Sequence, residues 1–364
     1  MSTHTARARR RLAAIAAGAA AAALLATASP AAAQTHRSAA SPGGARALSG
    51  GTGGTAMGAR RGPHFDQPLV VASDGTHVWV AGQFSPSVTE LTAATGAVVQ
   101  VITWSGLALP SGISSDGTHV WVASLIGNSV IELNAATGAV VKVITGSRYG
   151  FNHPDAISSD GTHVWVANRA GSSVTELTDT GALVKVITGA RYRFNTPDAI
   201  SCDGTHVWVA NYGGKSVTEL TAATGALVKV ITGSRYGFNL PDALSRDGTH
   251  VWVANQIGKS VTELTAATGA LVKVITGSSY RFNDPTGISS DGSHVWVANA
   301  DGNSVTELNA ATGALVKVIA GSSYRFNDPT GISSDGTHVW VANQIGNSVT
   351  ELNAATGALV KVIT

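Results

Sequence analysis

The segment Asp-Gly-Thr/Ser-His-Val-Trp-Val-Ala occurs seven times in this chain. Its tryptophans are Trp79, Trp121, Trp165, Trp208, Trp252, Trp296 and Trp340, at intervals of 42, 44, 43, 44, 44 and 44 residues. So regular a period restricts the chain to repeat architectures, in which a unit too small to bury its own apolar faces stacks on its copies. The unit spanning 241–276 reads as four short strands. Residues 241–245 form the first, behind a proline that has no N–H to donate. Asp247-Gly248 is a tight-turn signal, and 250–254 is a run of β-formers. After a loop at 256–259, residues 260–264 form a third strand. Ala267-Thr268-Gly269 then turns into a fourth at 270–275.

Apolar residues fall on both faces of the second and fourth strands: Val251, Trp252 and Val253, then Leu271, Val272, Val274 and Ile275. A sheet apolar on both faces must be covered on both. Radial stacking into a closed ring does this without leaving a bare blade. The expected fold is therefore all-β, a seven-bladed β-propeller of four-stranded antiparallel blades. A linear β-solenoid is the runner-up, but its coils are usually shorter than this unit. The first strand of blade 1 begins near Pro68 and the last strand of blade 7 ends at Thr364. Each blade is thus one continuous stretch, and closure must come from blade 1 packing on blade 7.

The N-terminus reads as an address. Arg7 to Arg11 form a positive region, 12–28 is an apolar run of 17 residues, and Ala31-Ala32-Ala33 supplies the small residues for cleavage after Ala33. The run is at the short limit for spanning a membrane and is rich in Ala, which favours a cleaved signal peptide over residues 1–33. Arg9-Arg10 also loosely fits twin-arginine export. Residues 34–63 are rich in Gly, Ala, Ser and Arg with almost nothing to bury, the composition of a disordered leader. The propeller takes 64–364. These readings predict a secreted monomer, extracellular or at the cell surface, with no transmembrane segment after cleavage.

Eight arginines and no acid lie before residue 64, which leaves 64–364 with a net charge of −6. A mildly acidic body lacks the basic stripe that a nucleic acid requires, so no nucleic-acid partner is expected. The single cysteine, Cys202, excludes an internal disulfide and a Cys-based metal site. It stands where most copies carry serine and reads as a neutral substitution.

Val-Trp-Val-Ala-Asn, Gly-Asn/Lys-Ser-Val-Thr-Glu-Leu, Ala-Ala-Thr-Gly, Val-Lys-Val-Ile and Pro-x-Ala/Gly-Ile-Ser-Ser-Asp-Gly together resemble the YVTN-type β-propeller repeat and its NHL-like relatives, over residues 68–364. The resemblance implies a propeller. Such propellers include adhesion-related surface proteins, binding scaffolds and a few enzymes such as streptogramin lyases, so it does not choose a function.

Candidate site residues come from places where the copies differ. His77, His119, His163, His206, His250, His294 and His338 recur in every blade and read as structural. So do the Glu–Lys pairs ten residues apart, such as Glu132 and Lys142, expected as modest surface ion pairs across a hairpin. In known propellers the first strand is innermost. The residues after each proline then ring the channel mouth: Leu69, Ser111, Asp155, Asp198, Asp242, Thr286 and Thr330. Asp155, Asp198 and Asp242, with His153 nearby, are candidate ligands for Ca²⁺ or Mg²⁺, which prefer oxygen donors. The preceding loops carry Tyr149, Tyr192, Tyr236, Arg191 and Arg193, residue types suited to gripping a peptide or glycan. The neighbouring phenylalanines read as core.

No catalytic residue is assigned. No Ser–His–Asp set, phosphate loop or His–Cys metal spacing is present. The expected function is a non-catalytic scaffold that binds a protein, peptide or glycan. The alternative is a metal-dependent lyase or hydrolase at the channel mouth, resembling streptogramin lyases.

Overall fold

The computed structural model describes residues 65–83, 86–104 and 106–364. The signal peptide and leader read for 1–33 and 34–63 lie outside the described residues. The described chain forms seven four-stranded antiparallel sheets, each with its strands in sequence order. Blade 5 runs Pro241–Arg246, His250–Asn255, Ser260–Thr265 and Leu271–Ile275. First strands meet first strands all around the hub, including that of blade 7 against that of blade 1.

Strand alternation explains the stacking. In the second strand of blade 4, Val207 and Val209 point into the cluster shared with blade 3, and Trp208 points into the one shared with blade 5. All seven repeat tryptophans are fully buried. The ring closes as the repeat boundaries require: Phe65, Val71, Val78 and Val80 of the first unit pack with Trp340, Ala342 and Val349 of the last. No strand is exchanged between blades. The fourth strand departs from expectation. Both of its faces are covered, as by Leu183 toward blade 2 and Ile187 toward blade 4, but one valine in the strand is not: Val184, Val228, Val272, Val316 and Val360 are exposed. These valines occupy a β-bulge beside the Glu–Lys pair. Bulges and a central Lys are devices that blunt an open sheet edge.

Antiparallel order gives the disc two unlike faces. The turn face carries the Asp-Gly and Ala-Thr-Gly turns. The loop face carries the loops between second and third strands and the connectors between blades.

The turn face is stitched by repeated polar groups. Glu132 pairs with Lys142 in register at 3.4 Å, across a turn with Gly138 at φ 67°. The turn needs glycine for its left-handed backbone, while a β-carbon there would meet the end of the flexible Gln100 side chain of blade 1, which can move aside. The glutamates are buried, which corrects the expectation of surface pairs: only the lysine is half-exposed, and its ammonium also donates to a turn carbonyl of the next blade, as Lys142 does to Thr180. Each repeated histidine stands with Nε2 3.6–3.9 Å from the same glutamate, the structural role read from its recurrence.

Serines ending the first strands complete a belt. Their hydroxyls donate to the Asp-Gly turn of the preceding blade: Ser73 to Asp335, Ser115 to Asp74, Ser159 to Asp116, Ser290 to Asp247 and Ser334 to Asp291. Blade 5 substitutes an ion pair, Arg246 to Asp203 at 3.0 Å. In blade 4, Cys202 does not reach Asp160, whose Oδ2 is buried without a hydrogen-bond partner.

Candidate functional site

The channel mouth is built by one backbone device used seven times. The residue before each proline is left-handed (Gln67, Leu109, His153, Thr196, Leu240, Asp284 and Asp328, φ 49–60°). Its carbonyl accepts a hydrogen bond from the residue just beyond the second strand, as His153 does from Arg169. The pairing register then slips immediately after the proline. The slipped residues are the ring foreseen from sequence, Leu69, Ser111, Asp155, Asp198, Asp242, Thr286 and Thr330. A bulge re-aims a side chain, and here it does so at the inner strand of every blade.

The ring divides into two arcs. In blades 2, 6 and 7 it is stitching: Ser111 donates to the Pro154 carbonyl at 2.8 Å, Thr286 to Pro329 at 3.5 Å and Thr330 to Leu69 at 2.9 Å. Thr286 and Thr330 are buried, with their hydroxyls donating to backbone carbonyls of the next blade. Gly287 and Gly331 belong to this arc, since a β-carbon on either would strike the next blade's backbone at 2.2 and 2.7 Å. In blades 3 to 5 the stitch is replaced by Asp155, Asp198 and Asp242.

Those aspartates meet a second ring that sequence reading missed. It consists of the residues just past the second strands: Gln83, Leu125, Arg169, Tyr212, Gln256, Ala300 and Gln344. Arg169 Nη1 lies 3.0 Å from Asp155 Oδ2 and 3.0 Å from Asp198 Oδ1. Its guanidinium sits 5.7 Å from the Tyr212 ring centre, and Tyr212 donates to Gln256 Oε1 at 2.7 Å. Burial pushes the Asp198 carboxyl well above the usual carboxylate range. The Asp155 charge adds to the rise and Arg169 opposes it. The outcome is a pair of neighbouring acids clamped by one arginine, the more deeply buried of which holds its proton more readily than an ordinary carboxyl. A variable position recurring at the same offset in every copy was the sequence signal that would have found this ring.

Of the proposed metal set, Asp155 and Asp198 are brought together and Asp242 is their electrostatic neighbour. Arg169 stands between the first two, where a cation would have to be. Among the described residues, no three His, Cys, Asp or Glu side chains are arranged to hold a metal ion. His153 is half-buried, and its backbone N–H donates to Asn128 Oδ1.

The tyrosine–arginine loops are not at the mouth, a correction to their expected place. Each forms a short 3₁₀ turn, such as Ser147–Tyr149, lying on the outermost strand of the following blade. Thr175 Oγ1 of that blade donates to the Tyr149 carbonyl, Thr218 to Tyr192 and Thr262 to Tyr236. The rings of Tyr149, Tyr192 and Tyr236 are buried and stacked on Phe151, Phe194 and Phe238. Arg148, Arg191 and Arg235 lie over them and bond the phenol oxygens, while remaining exposed to solvent.

A hub of seven first strands, seven four-stranded antiparallel blades around it and an asymmetric mouth define a seven-bladed β-propeller. No protein-family model and no curated protein sequence matches the chain. Among solved structures it is similar to a streptogramin B lyase at 15% identity and TM-score 0.63, over 77% of this chain and 91% of that one. It is also similar to the hydrazine synthase of Kuenenia stuttgartiensis at 18% identity and TM-score 0.64, over 83% and 99% respectively. At such identities the likeness shows the fold alone, and the two names are of different chemistries.

Proposed function

We propose that this chain is a secreted, non-catalytic propeller of the YVTN and NHL-like kind that binds a protein, peptide or glycan at the channel mouth on its loop face. One observation carries the reading. Across near-identical copies, blades 3 to 5 replace the hub stitch with Asp155, Asp198 and Asp242 and add Arg169, Tyr212 and Gln256 beside them. Convergent polar groups with a perturbed acid, set in one arc of a concave mouth, are the usual signature of a recognition site. The metal-dependent lyase or hydrolase alternative draws on the same acids, and Arg169 competes with any cation for them.

Capture from envelope extracts and glycan arrays by the full chain tests the proposal. Tyr212→Ala should weaken capture about tenfold or more at little changed melting temperature, the size of a typical hot-spot loss, and Arg169→Gln should weaken it as much while lowering the melting temperature, because Asp155 and Asp198 lose their counter-ion. Capture indifferent to both changes would refute the mouth as the site. A melting temperature raised by Ca²⁺ or Mg²⁺ and insensitive to them in Asp198→Asn would favour the metal alternative instead.

A further inference from the structure

Sorted by face, the charge of residues 65–364 is uneven. The turn-face half holds fifteen acids against seven bases, and the loop face holds seven acids against nine bases. The loop face is divided again by radius. Asp155, Asp198, Asp242, Asp284 and Asp328 lie at or just before the starts of first strands, toward the hub. Six arginines lie outside them on the connectors. The domain-wide acidity therefore conceals a cationic outer rim.

We propose that this rim, from blade 3 to blade 7, is a track for a linear anionic polysaccharide, whose carboxylates or sulfates are taken by Arg148, Arg191, Arg193, Arg235, Arg281 and Arg325. All six are exposed, and among the described residues none is paired with a carboxylate. Three are held in place. Arg148, Arg191 and Arg235 have Cζ 4.7–4.8 Å from the neighbouring tyrosine ring centre and donate to its hydroxyl at 2.7–2.8 Å. The other guanidinium edges of a planar five-donor group stay available for a carboxylate or sulfate.

The remaining three carry a conformational cost that other blades avoid. Arg193, Arg281 and Arg325 are left-handed, at φ 51–52°, in a slot where blades 3 and 5 use Gly150 and Gly237. Arginine is disfavoured there and glycine is not. A ligand held by these side chains would offset that cost. Arg193 borders an open cleft of about 300 Å³ whose other walls include Asn195, Ser216 and Thr232, groups suited to sugar hydroxyls. A lipid surface fits less well, because Tyr149, Tyr192, Tyr236 and the neighbouring phenylalanines are buried and Tyr280 and Tyr324 are half-buried against the core. The track is separate from the mouth and stands or falls independently of it.

The experiment uses the full chain with Arg7, Arg9, Arg10, Arg11, Arg37, Arg46, Arg60 and Arg61 changed to Gln, so that the N-terminal cations cannot account for binding. The probes are heparin, polygalacturonate, neutral dextran and phosphatidylglycerol vesicles. The test variant is Arg193→Gly/Arg281→Gly/Arg325→Gly, which installs the residue two other blades already use and so should fold. Heparin or polygalacturonate affinity should fall about tenfold, the size expected of three exposed ion pairs, with a flatter dependence on salt. Asp198→Asn at the mouth should leave it unchanged. Equal affinity in the triple variant, equal binding of neutral dextran, or tighter binding of vesicles than of either polysaccharide would overturn the proposal.

Discussion

Restoring the missing stitch at blade 4 should make this protein more stable. Cys202 ends a first strand where five other blades carry a serine that donates to the preceding blade's Asp-Gly turn at 2.8–3.1 Å. Burial pushes its thiol up to about 12, so it is neutral at ordinary pH, and its sulfur instead lies 3.2 Å from Ser158 Oγ. Asp160 Oδ2 is left buried and unbonded. A hydrogen bond to a charged group is worth about 1.5–3 kcal/mol. The lost Ser158 contact is weak, so Cys202→Ser should gain about 1–2 kcal/mol. For a domain of this size that is a rise of roughly 2–4 °C in melting temperature. Thermal and urea melts at pH 7 measure it, with Cys202→Ala as the control that removes sulfur without adding a donor. An unchanged or lowered melting temperature in Cys202→Ser, or an equal gain in Cys202→Ala, would refute the reasoning.

Three further outcomes follow from the same structure. Lys215→Asn should raise the urea midpoint by the equivalent of about 0.5–1 kcal/mol, because left-handed asparagines at 128, 303 and 347 each accept the next blade's pre-proline N–H, and Asn suits that backbone better than Lys. A lower midpoint would contradict this. Trp340→Ala, at the closure between blades 7 and 1, should cost about 3–5 kcal/mol, and deleting residues 321–364 should abolish the soluble monomer; a closed, monomeric six-bladed product would show that closure does not depend on this interface. Stability should peak at mildly acid pH. Burial raises Glu219, Glu263, Glu307 and Glu351 above 4.5, against the pull of their lysines and histidines. A raised carboxyl binds its proton more readily folded than unfolded, so stability grows as pH falls from 7 through those values. At Asp74, Asp116, Asp203, Asp247 and Asp291 burial is outweighed by hydrogen bonds that hold the carboxyl below 3.8, and the stability they add is lost as pH falls through that lowered range. Urea midpoints from pH 3 to 8 check the peak, and a steady decline from pH 7 downward would count against it.

The fold could be read from the chain because period, turn signals and two-sided strands all point the same way. A Trp flanked by Val in every second strand already requires a neighbour on each side, as Trp208 and Val207 show. The inner ring was legible for a similar reason: a proline marks the bulge in each copy. The second ring was not. Arg169, Tyr212 and Gln256 sit in a loop with no motif, and only the hydrogen bond back to the pre-proline carbonyl puts them beside Asp155 and Asp198. The connector tyrosines went astray for the converse reason. Their motif is conspicuous, but nothing in it states radius, and the 3₁₀ turn leaves them at the outer edge.

Radius and face are what turn a list of deviations into an argument about function. Cys202 and Arg246 depart from the repeat as sharply as Arg169 and Tyr212 do. Both lie on the turn face, in a belt whose other members are all bonded between blades, and Arg246 simply answers Asp203 as serine answers aspartate elsewhere. Such changes alter stability and should leave binding alone. Arg169 answers two carboxylates at once, at a mouth where blades 2, 6 and 7 need only a hydroxyl on a backbone oxygen. An arginine held between two acids carries a desolvation cost that the hydroxyl stitch does not, since charged groups must be partly stripped of water. That blades 3 to 5 keep the more costly arrangement, in one contiguous arc and on the face with the longer loops, is the physical reason to place recognition there.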